Sequence, residues 1–271
     1  MSTRDVPWPQ GTPAWAELMA SDVTAATEFY AGVLGWEIAE SDPDLGDYHL
    51  ATVDGRPVAG IGPSSANTSL HAVWTTYLAS DDLETTCSAI VRHGGDVVMR
   101  PMSMGHDGRM ALAIDPTGAA FGLWQAGQHL GSSITGRPGA MVWNECRTWD
   151  PEVARAFYAE VFGCTYTMYT GRRDIAFIDG EVPGSAVGAI GQVDPAAPRW
   201  VPPHWMIYFQ VDDAMATTEE AAKRGAEVIH AGRDTPIGRI AIFRDPQGAP
   251  FSVVEPCGRP LRDAACHHVG P

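Results

Sequence analysis

Positive charge and long apolar runs are both scarce in this chain of 271 residues. It carries 18 Lys and Arg against 33 Asp and Glu, a formal net charge of −15. Nucleic acids and anionic membranes bind cationic surfaces, so this charge argues against both classes of partner. No apolar run approaches the ~18 residues of a membrane helix, and the N-terminus lacks the apolar core of a signal peptide. We therefore expect a cytoplasmic protein with no nucleic-acid and no membrane partner.

Several common functional motifs are also missing. The five cysteines are an odd number, widely spread and without a CxxC pair, which argues against a disulfide framework and a zinc ribbon. There is no GxGxxG or P-loop spacing, no GxSxG elbow and no motif for a cysteine nucleophile. Of the histidines, only His71 and His204, near the starts of similar strands, merit a test as metal ligands.

An internal repeat defines the organisation of the chain. Residues 15–18 (WAEL) return at 143–146 (WNEC), 128 positions later, and the DPxG turn at 115–118 returns at 245–248, 130 positions later. A polar, glycine-rich stretch joins the two copies and is typical of a linker. The repeat predicts four segments: an N-terminal domain at 1–130, a linker at 131–139, a C-terminal domain at 140–258 and a tail at 259–271.

Each half divides again into two units of the form β-α-β-β-β. In the first unit a strand ends at Asp22, which can cap a helix whose apolar face has Ala25, Ala26, Phe29, Tyr30 and Val33 at helical spacing. Gly35 then ends the helix. Asp82 caps a second helix over 83–93 in the same way. The units span about 12–63, 70–126, 139–192 and 203–256, which predicts an α+β fold.

These motifs carry a resemblance to a known family. The pattern FY-x3-LGW at 29–36, its partial copy at 157–163 and the two DPxG turns resemble the vicinal oxygen chelate superfamily. Members include glyoxalase I, bleomycin-resistance proteins and extradiol dioxygenases, and the chain is similar to an actinobacterial subgroup labelled hydroxylase or glyoxalase-like. The resemblance implies four βαβββ units paired into two glyoxalase-like half-barrel domains, each with its site on the concave face.

The same resemblance implies where metal ligands would stand. One ligand lies seven residues before the Asp that ends a unit's first strand, and another lies in the last strand, four residues after the DPxG glycine. These positions hold Trp15, Thr75, Gly122, Trp143, Met206 and Ser252. None of these side chains is a normal ligand of iron, zinc or nickel. We therefore expect no metal at this place and no cofactor.

Strand alternation predicts which side chains line each concave face. The predicted face of the N-terminal half holds Trp15, Glu17, Thr75, Tyr77, Gly122 and Trp124. That of the C-terminal half holds Trp143, Glu145, Arg147, Met206, Tyr208 and Ser252. Indole rings with a few polar groups suit a flat, largely apolar ligand. The candidate substrate-binding residues are thus Trp15, Trp143, Trp124, Thr75, Met206, Arg147 and Ser252.

Glu17 and Glu145 are the candidate acid/base groups. Desolvation in such a pocket raises the pKa of a carboxyl group and suits it to proton transfer. Tyr77 and Tyr208 are candidates to donate a hydrogen bond to an enolate or carbonyl oxygen. Two structural interpretations stand beside these roles. The Trp side chains can be core residues, as we expect for Trp74 and Trp205, and Arg147 can simply pair with Glu145.

These features favour a metal-independent enzyme acting on a small, partly aromatic or carbonyl-bearing metabolite. The reaction would be an isomerase, lyase or hydroxylase type in natural-product tailoring or detoxification. One alternative is a protein that sequesters a drug or metabolite, as the bleomycin-binding members do. A second is a glyoxalase I-like lyase or a dioxygenase with a non-standard metal site. The sequence leaves open which half is active and whether the chain is a monomer or a homodimer.

Overall fold

The computed structural model describes residues 2–41, 46–64, 72–168, 175–181, 185–235 and 237–256. His71 and the predicted tail lie outside these residues. The N-terminal half contains β1 (Ser2–Thr3), β2 (Pro13–Ala20), α1 (Val23–Leu34), β3 (Glu37–Ile38), β4 (His49–Val53), β5 (Arg56–Pro63), β6 (Ala72–Ala79), α2 (Leu83–Arg92), β7 (Asp96–Ser103), β8 (Gly108–Ile114) and β9 (Ala120–Ala126). The C-terminal half contains β10 (Ile134–Thr135), β11 (Met141–Thr148), α3 (Pro151–Phe162), β12 (Tyr166–Met168), β13 (Ile175–Asp179), β14 (Ala186–Gln192), β15 (His204–Gln210), α4 (Ala214–Lys223), β16 (Glu227–Thr235), β17 (Gly238–Arg244) and β18 (Pro250–Glu255).

Two eight-stranded mixed sheets carry the predicted repeat. Their strand orders are β3-β4-β5-β2-β6-β9-β8-β7 and β12-β13-β14-β11-β15-β18-β17-β16, the same order in each half. In each sheet the first strands of the two units, β2 with β6 and β11 with β15, pair antiparallel at the centre. Each of these strands also pairs in parallel with the last strand of its own unit. The α+β fold of four βαβββ units is confirmed.

The ends of the first helix follow the sequence prediction. The Asp22 side chain accepts a hydrogen bond from the Ala25 amide at 2.9 Å, and Gly35 ends α1 with φ of 69°. A positive φ is cheap for glycine because it has no β-carbon. The predicted place of Ala25 on the apolar face is wrong, because Ala25 is exposed. Val23 and Leu34 are buried instead.

A hydrogen-bonded chain joins the first unit to the last. The Trp74 indole donates to the Tyr30 hydroxyl at 2.8 Å, and that hydroxyl donates to Asp245 Oδ2 at 2.9 Å. The other oxygen of Asp245 accepts from the amides of its own DPxG turn. Buried polar groups need such partners, so these parts of the FY and DPxG motifs hold the two halves together.

The second and third units repeat this arrangement. The Trp205 indole donates to the Tyr158 hydroxyl at 2.8 Å, and Tyr158 donates to Asp115 Oδ2 at 3.0 Å. One apolar core is shared by units one and four, and another by units two and three. Trp74 and Trp205 are core residues, as predicted.

Candidate functional site

Strand register gathers the predicted residues of the N-terminal half on one face. Glu17 on β2 lies between Gly60 of β5 and Thr75 of β6. Tyr77 lies between Trp15 of β2 and Gly122 of β9. Side chains two residues apart on a strand share a face. The alternation in β2 and β6 therefore places one carboxyl group beside several aromatic rings.

Glu17 is the polar centre of this face. The Tyr77 hydroxyl donates to Glu17 Oε2 at 2.5 Å, and the Tyr48 hydroxyl also hydrogen-bonds to Glu17. The Trp15 indole donates to Tyr48 and so fixes that hydroxyl. Burial raises the pKa of Glu17, and the hydrogen bonds from Tyr77 and Tyr48 oppose part of this rise. Burial, together with the Glu17 charge, raises the pKa of both tyrosines, which keeps them protonated donors.

Three glycines provide the space for the tyrosine rings. A β-carbon at Gly60 would overlap the Tyr48 hydroxyl, and one at Gly62 would press on the same ring. A β-carbon at Gly122 would overlap the Tyr77 ring. Interiors are close-packed, so a single methyl group at these positions would displace a ring. The glycines thus have a role in placing both hydroxyl groups at Glu17.

Aromatic and apolar side chains surround the Glu17 group. Trp15, Tyr77 and Trp124 form one buried cluster, and partly buried residues border it: Leu50, Met104, Met110, Leu112 and Ala126. The His129 ring packs edge-on against Trp15 with ring centroids 4.5 Å apart, and the Trp124 indole donates to the His129 carbonyl at 2.8 Å. Burial lowers the pKa of His129. The face therefore combines flat apolar walls with one carboxyl group.

The matching face of the C-terminal half has an internal ion pair. The Trp143 indole donates to Glu145 Oε1 at 2.9 Å, and the Tyr208 hydroxyl donates to Oε2 at 3.0 Å. The Arg147 guanidinium forms a salt bridge with Glu145 Oε2 and also donates to the Gln192 carbonyl at 3.4 Å. The ion pair with Glu145 raises the pKa of Arg147 against the opposing effect of burial. In the C-terminal half, the glutamate is therefore paired with a cationic side chain of the protein itself.

Apolar side chains fill the rest of that face. Ala189 stands where the N-terminal half has Gly60, and Ile175 pairs with Gly191 where Tyr48 packs on Gly62. The buried cluster around them comprises Trp143, Phe177, Ala186, Ala189, Met206, Tyr208, Ile237, Ile240 and Val254. Ser252 is fully buried, and its hydroxyl has no hydrogen-bond partner among the described residues. This packing favours a structural role for Trp143, Met206 and Ser252.

The alternation predicted most members of both faces but missed two residues that contact Trp15, namely Tyr48 and His129. Tyr48 precedes β4, where Leu50 faces Gly60, so extending the alternation by two residues reaches it. His129 follows β9 in the segment that the sequence indicated as the end of the domain, and no local pattern marks it. His204, which the sequence singled out, bonds through Nδ1 to the Pro202 carbonyl at 2.9 Å.

The chemistry of the side chains on these faces does not fit a divalent metal. The positions implied for ligands hold two indoles, a threonine, a methionine, a glycine and a serine. Within the described ranges, no three His, Cys, Asp or Glu side chains lie close enough to hold a metal ion together. Glu17 and Glu145 bond to tyrosine, tryptophan and arginine donors, which occupy oxygens that would have to coordinate a divalent metal ion.

The four βαβββ units, paired in two sheets of the same strand order, define a tandem protein of the vicinal oxygen chelate class. The family model described as the glyoxalase/bleomycin resistance protein/dioxygenase superfamily matches residues 12–123 and 140–253. The chain belongs to this superfamily, whose members bind small molecules. In the part of the chain that the structure describes, no helix is long and apolar enough to cross a membrane.

Two similar proteins cover nearly the full length. CFP32 of Mycobacterium tuberculosis (strain CDC 1551 / Oshkosh), provisionally named a glyoxylase, is 40% identical over 257 residues, which cover 91% of this chain and 95% of that protein. The anthracycline biosynthesis protein DauV of Streptomyces sp. (strain C5) is 36% identical over 259 residues, covering 90% and 93%.

Solved structures show the same fold at low identity. The Mn(II)-bound glyoxalase from Novosphingobium aromaticivorans aligns with a TM-score of 0.63 and 15% identity, covering 90% of this chain and 83% of that one. Homoprotocatechuate 2,3-dioxygenase from Arthrobacter globiformis aligns with a TM-score of 0.63 and 13% identity, covering 93% and 81%. At this identity the likeness extends to the fold alone.

Proposed function

We propose that this protein is a metal-independent tailoring or detoxifying enzyme that acts on a small, partly aromatic, carbonyl-bearing metabolite. The active site is the concave face of the N-terminal half, and Glu17 is its acid/base. The C-terminal copy stabilises the fold and binds no substrate.

The difference between the two glutamates carries this proposal. Glu17 is half-buried and bonds to two tyrosine hydroxyls, whereas Glu145 is buried and paired with Arg147. A carboxyl group whose pKa is raised by burial, and which has no cationic partner among the described residues, is suited to act as an acid or base. The Glu145 oxygens are already taken by the Arg147 guanidinium, the Trp143 indole and the Tyr208 hydroxyl, which leaves them less available to a ligand.

The geometry of the Glu17 group supports a proton-transfer mechanism. Glu17 takes a proton from an acidic C–H or O–H of the ligand, and the same proton returns to a second atom or leaves to water. Negative charge then develops on the neighbouring carbonyl or phenolic oxygen of the ligand. The Tyr77 and Tyr48 hydroxyls turn from Glu17 to that oxygen as Glu17 becomes protonated. Hydrogen-bond donors fixed in advance at the developing charge are a major source of catalysis.

The relatives support a flat aromatic substrate. DauV and DnrV carry names that place them in anthracycline biosynthesis, and each is 36% identical to this chain. The buried cluster that borders Glu17 contains the indole rings of Trp15 and Trp124, a chemistry that suits planar aromatic ligands. Polycyclic aromatic ketones are therefore the first substrates to test.

The test compares Glu17→Gln with Glu145→Gln on a panel of such ketones, with conversion followed by mass spectrometry. At saturating substrate, Glu17→Gln should lower turnover by about 10²–10⁴-fold, the usual contribution of an acid/base group. Glu145→Gln, assayed at a temperature where it is folded, should keep most of its turnover. Equal loss in both variants would contradict the choice of site. Tight binding without conversion by the unsubstituted protein would indicate a sequestering protein instead.

A further inference from the structure

The two copies of the site differ by one positive charge. Arg147 pairs with Gly191 across strands β11 and β14, and Met19 pairs with Gly62 across the matching strands β2 and β5. Both residues lie two positions after the glutamate and on the same face. The C-terminal copy thus supplies a guanidinium to its carboxylate, whereas the N-terminal copy has a thioether at that position.

The Glu17 carboxyl group has no positive partner in the described part of the chain. Its hydrogen bonds come from Tyr77 and Tyr48, and neither an ion pair nor a basic side chain accompanies them. None of the ten salt bridges among the described residues includes Glu17. A carboxylate withdrawn from water is costly unless a cation joins it.

The neighbours of Glu17 are the groups that attract a cation. Trp15, Tyr77 and Trp124 form the adjoining cluster, and Tyr48 contacts both Trp15 and Glu17. Aromatic rings attract ammonium groups by their quadrupoles, and desolvation strengthens this attraction. The net charge of −15 also raises the local concentration of cationic ligands around the protein.

We infer that the N-terminal site binds a protonated amine of its ligand, and that this ammonium group takes the place filled by the Arg147 guanidinium in the other half. The inference rests on the proposed function for the location of the site, and it narrows the substrate to an aromatic metabolite with a basic amine.

Calorimetric titration with two matched probes tests this inference. We use 3-phenylpropylamine, which is protonated at neutral pH, and 3-phenylpropanol, which has the same ring and chain without the charge. The unsubstituted protein should bind the amine about tenfold or more tightly, as expected for a partly desolvated ion pair with aromatic contacts. Glu17→Gln should remove most of this preference.

Met19→Arg gives the sharpest variant because it transfers the internal cation of the C-terminal copy to the N-terminal one. It should abolish the preference for the amine, whereas the matched control Met19→Leu should keep it. Equal affinity for both probes in the unsubstituted protein would overturn the inference, as would an amine preference that survives Met19→Arg.

The outcome is separable from that of the proposed function. Glu17-dependent conversion of a neutral aromatic ketone without any amine preference would overturn this inference and leave the enzyme proposal standing. An amine preference that depends on Glu17, without conversion of any ligand, would support the inference and contradict the enzyme proposal.

Discussion

Arg147 on β11 and Met19 on β2 occupy equivalent positions in the two halves of the chain, each two residues after a glutamate. In one half the guanidinium forms a salt bridge with Glu145. In the other, tyrosine hydroxyls are the hydrogen-bond partners of Glu17. A duplicated sheet has therefore produced two carboxyl groups with different electrostatic surroundings, and substitutions at the two should have opposite effects on stability.

Glu17→Gln should stabilise the protein at neutral pH. Burial raises the folded-state pKa of Glu17 above its unfolded value, so the folded state binds the proton more tightly. The protonated Glu17 side chain contributes its whole stabilisation at pH values below its unfolded-state pKa. This stabilisation is lost as the pH rises through its folded-state pKa. The amide is uncharged at every pH and therefore removes this loss. Melting temperatures of the variant and of the unsubstituted protein are measured from pH 4 to pH 8. The melting temperature of the variant should be the higher one, by an amount that grows with pH. A difference that stays constant over this range would contradict the prediction.

Glu145→Gln should destabilise the protein by about 3–5 kcal/mol, because it leaves the largely buried Arg147 guanidinium without its anion. Chemical denaturation at pH 7 measures this change. Replacing both members, with Glu145→Gln and Arg147→Met together, should recover much of the loss. A double variant as unstable as the single one would contradict the role assigned to the unpaired charge.

Gly60→Ala should lower turnover because its methyl group overlaps the Tyr48 hydroxyl and displaces it from Glu17. We expect a loss of about 10²–10³-fold, the range for removing one hydrogen-bond donor near a reacting oxygen. Tyr48→Phe should show a similar loss, and combining the two should add little. The reverse change in the other half, Ala189→Gly, is the control and should leave turnover unchanged.

Tyr30→Phe should destabilise the contact between the halves. It removes the hydroxyl that links the Trp74 indole to Asp245, which leaves both of these groups without that partner, at a cost of about 1–3 kcal/mol. Tyr166→Phe is the control, since its hydroxyl donates to a backbone carbonyl, that of Arg155, within one half. A smaller loss for Tyr30→Phe than for Tyr166→Phe would argue against a link between the halves.

Turnover should not depend on a divalent metal. The tag-free protein should contain less than about a tenth of an equivalent of iron, zinc or nickel, and dialysis against a chelator should change turnover by less than roughly twofold. Metal analysis and assays before and after dialysis check both values. Activity that chelation abolishes and added metal restores would favour the glyoxalase or dioxygenase alternative.

Much of the architecture followed from the sequence. The repeated WxE strands, the capping residues Asp22 and Asp82 and the DPxG turns identified four βαβββ units, because capping and turn formation depend on nearby residues. Strand alternation also placed Glu17 and Tyr77 on one face, as the register of β2 and β6 bears out. Whether these residues act on a substrate stays a proposal.

The sequence by itself determined the duplicated fold and the composition of the two faces, since helix caps, turns and alternation are local properties of the chain. Only the tertiary structure decided which hydrogen-bond and charge partners surround the carboxyl group of each face. Tyr48 reaches Glu17 across β5, where Gly60 and Gly62 leave room for the tyrosine ring, and Asp245 meets Tyr30 from 215 positions away. The pKa of Glu17 depends on such contacts, because burial and hydrogen-bond partners come from segments that are distant in sequence.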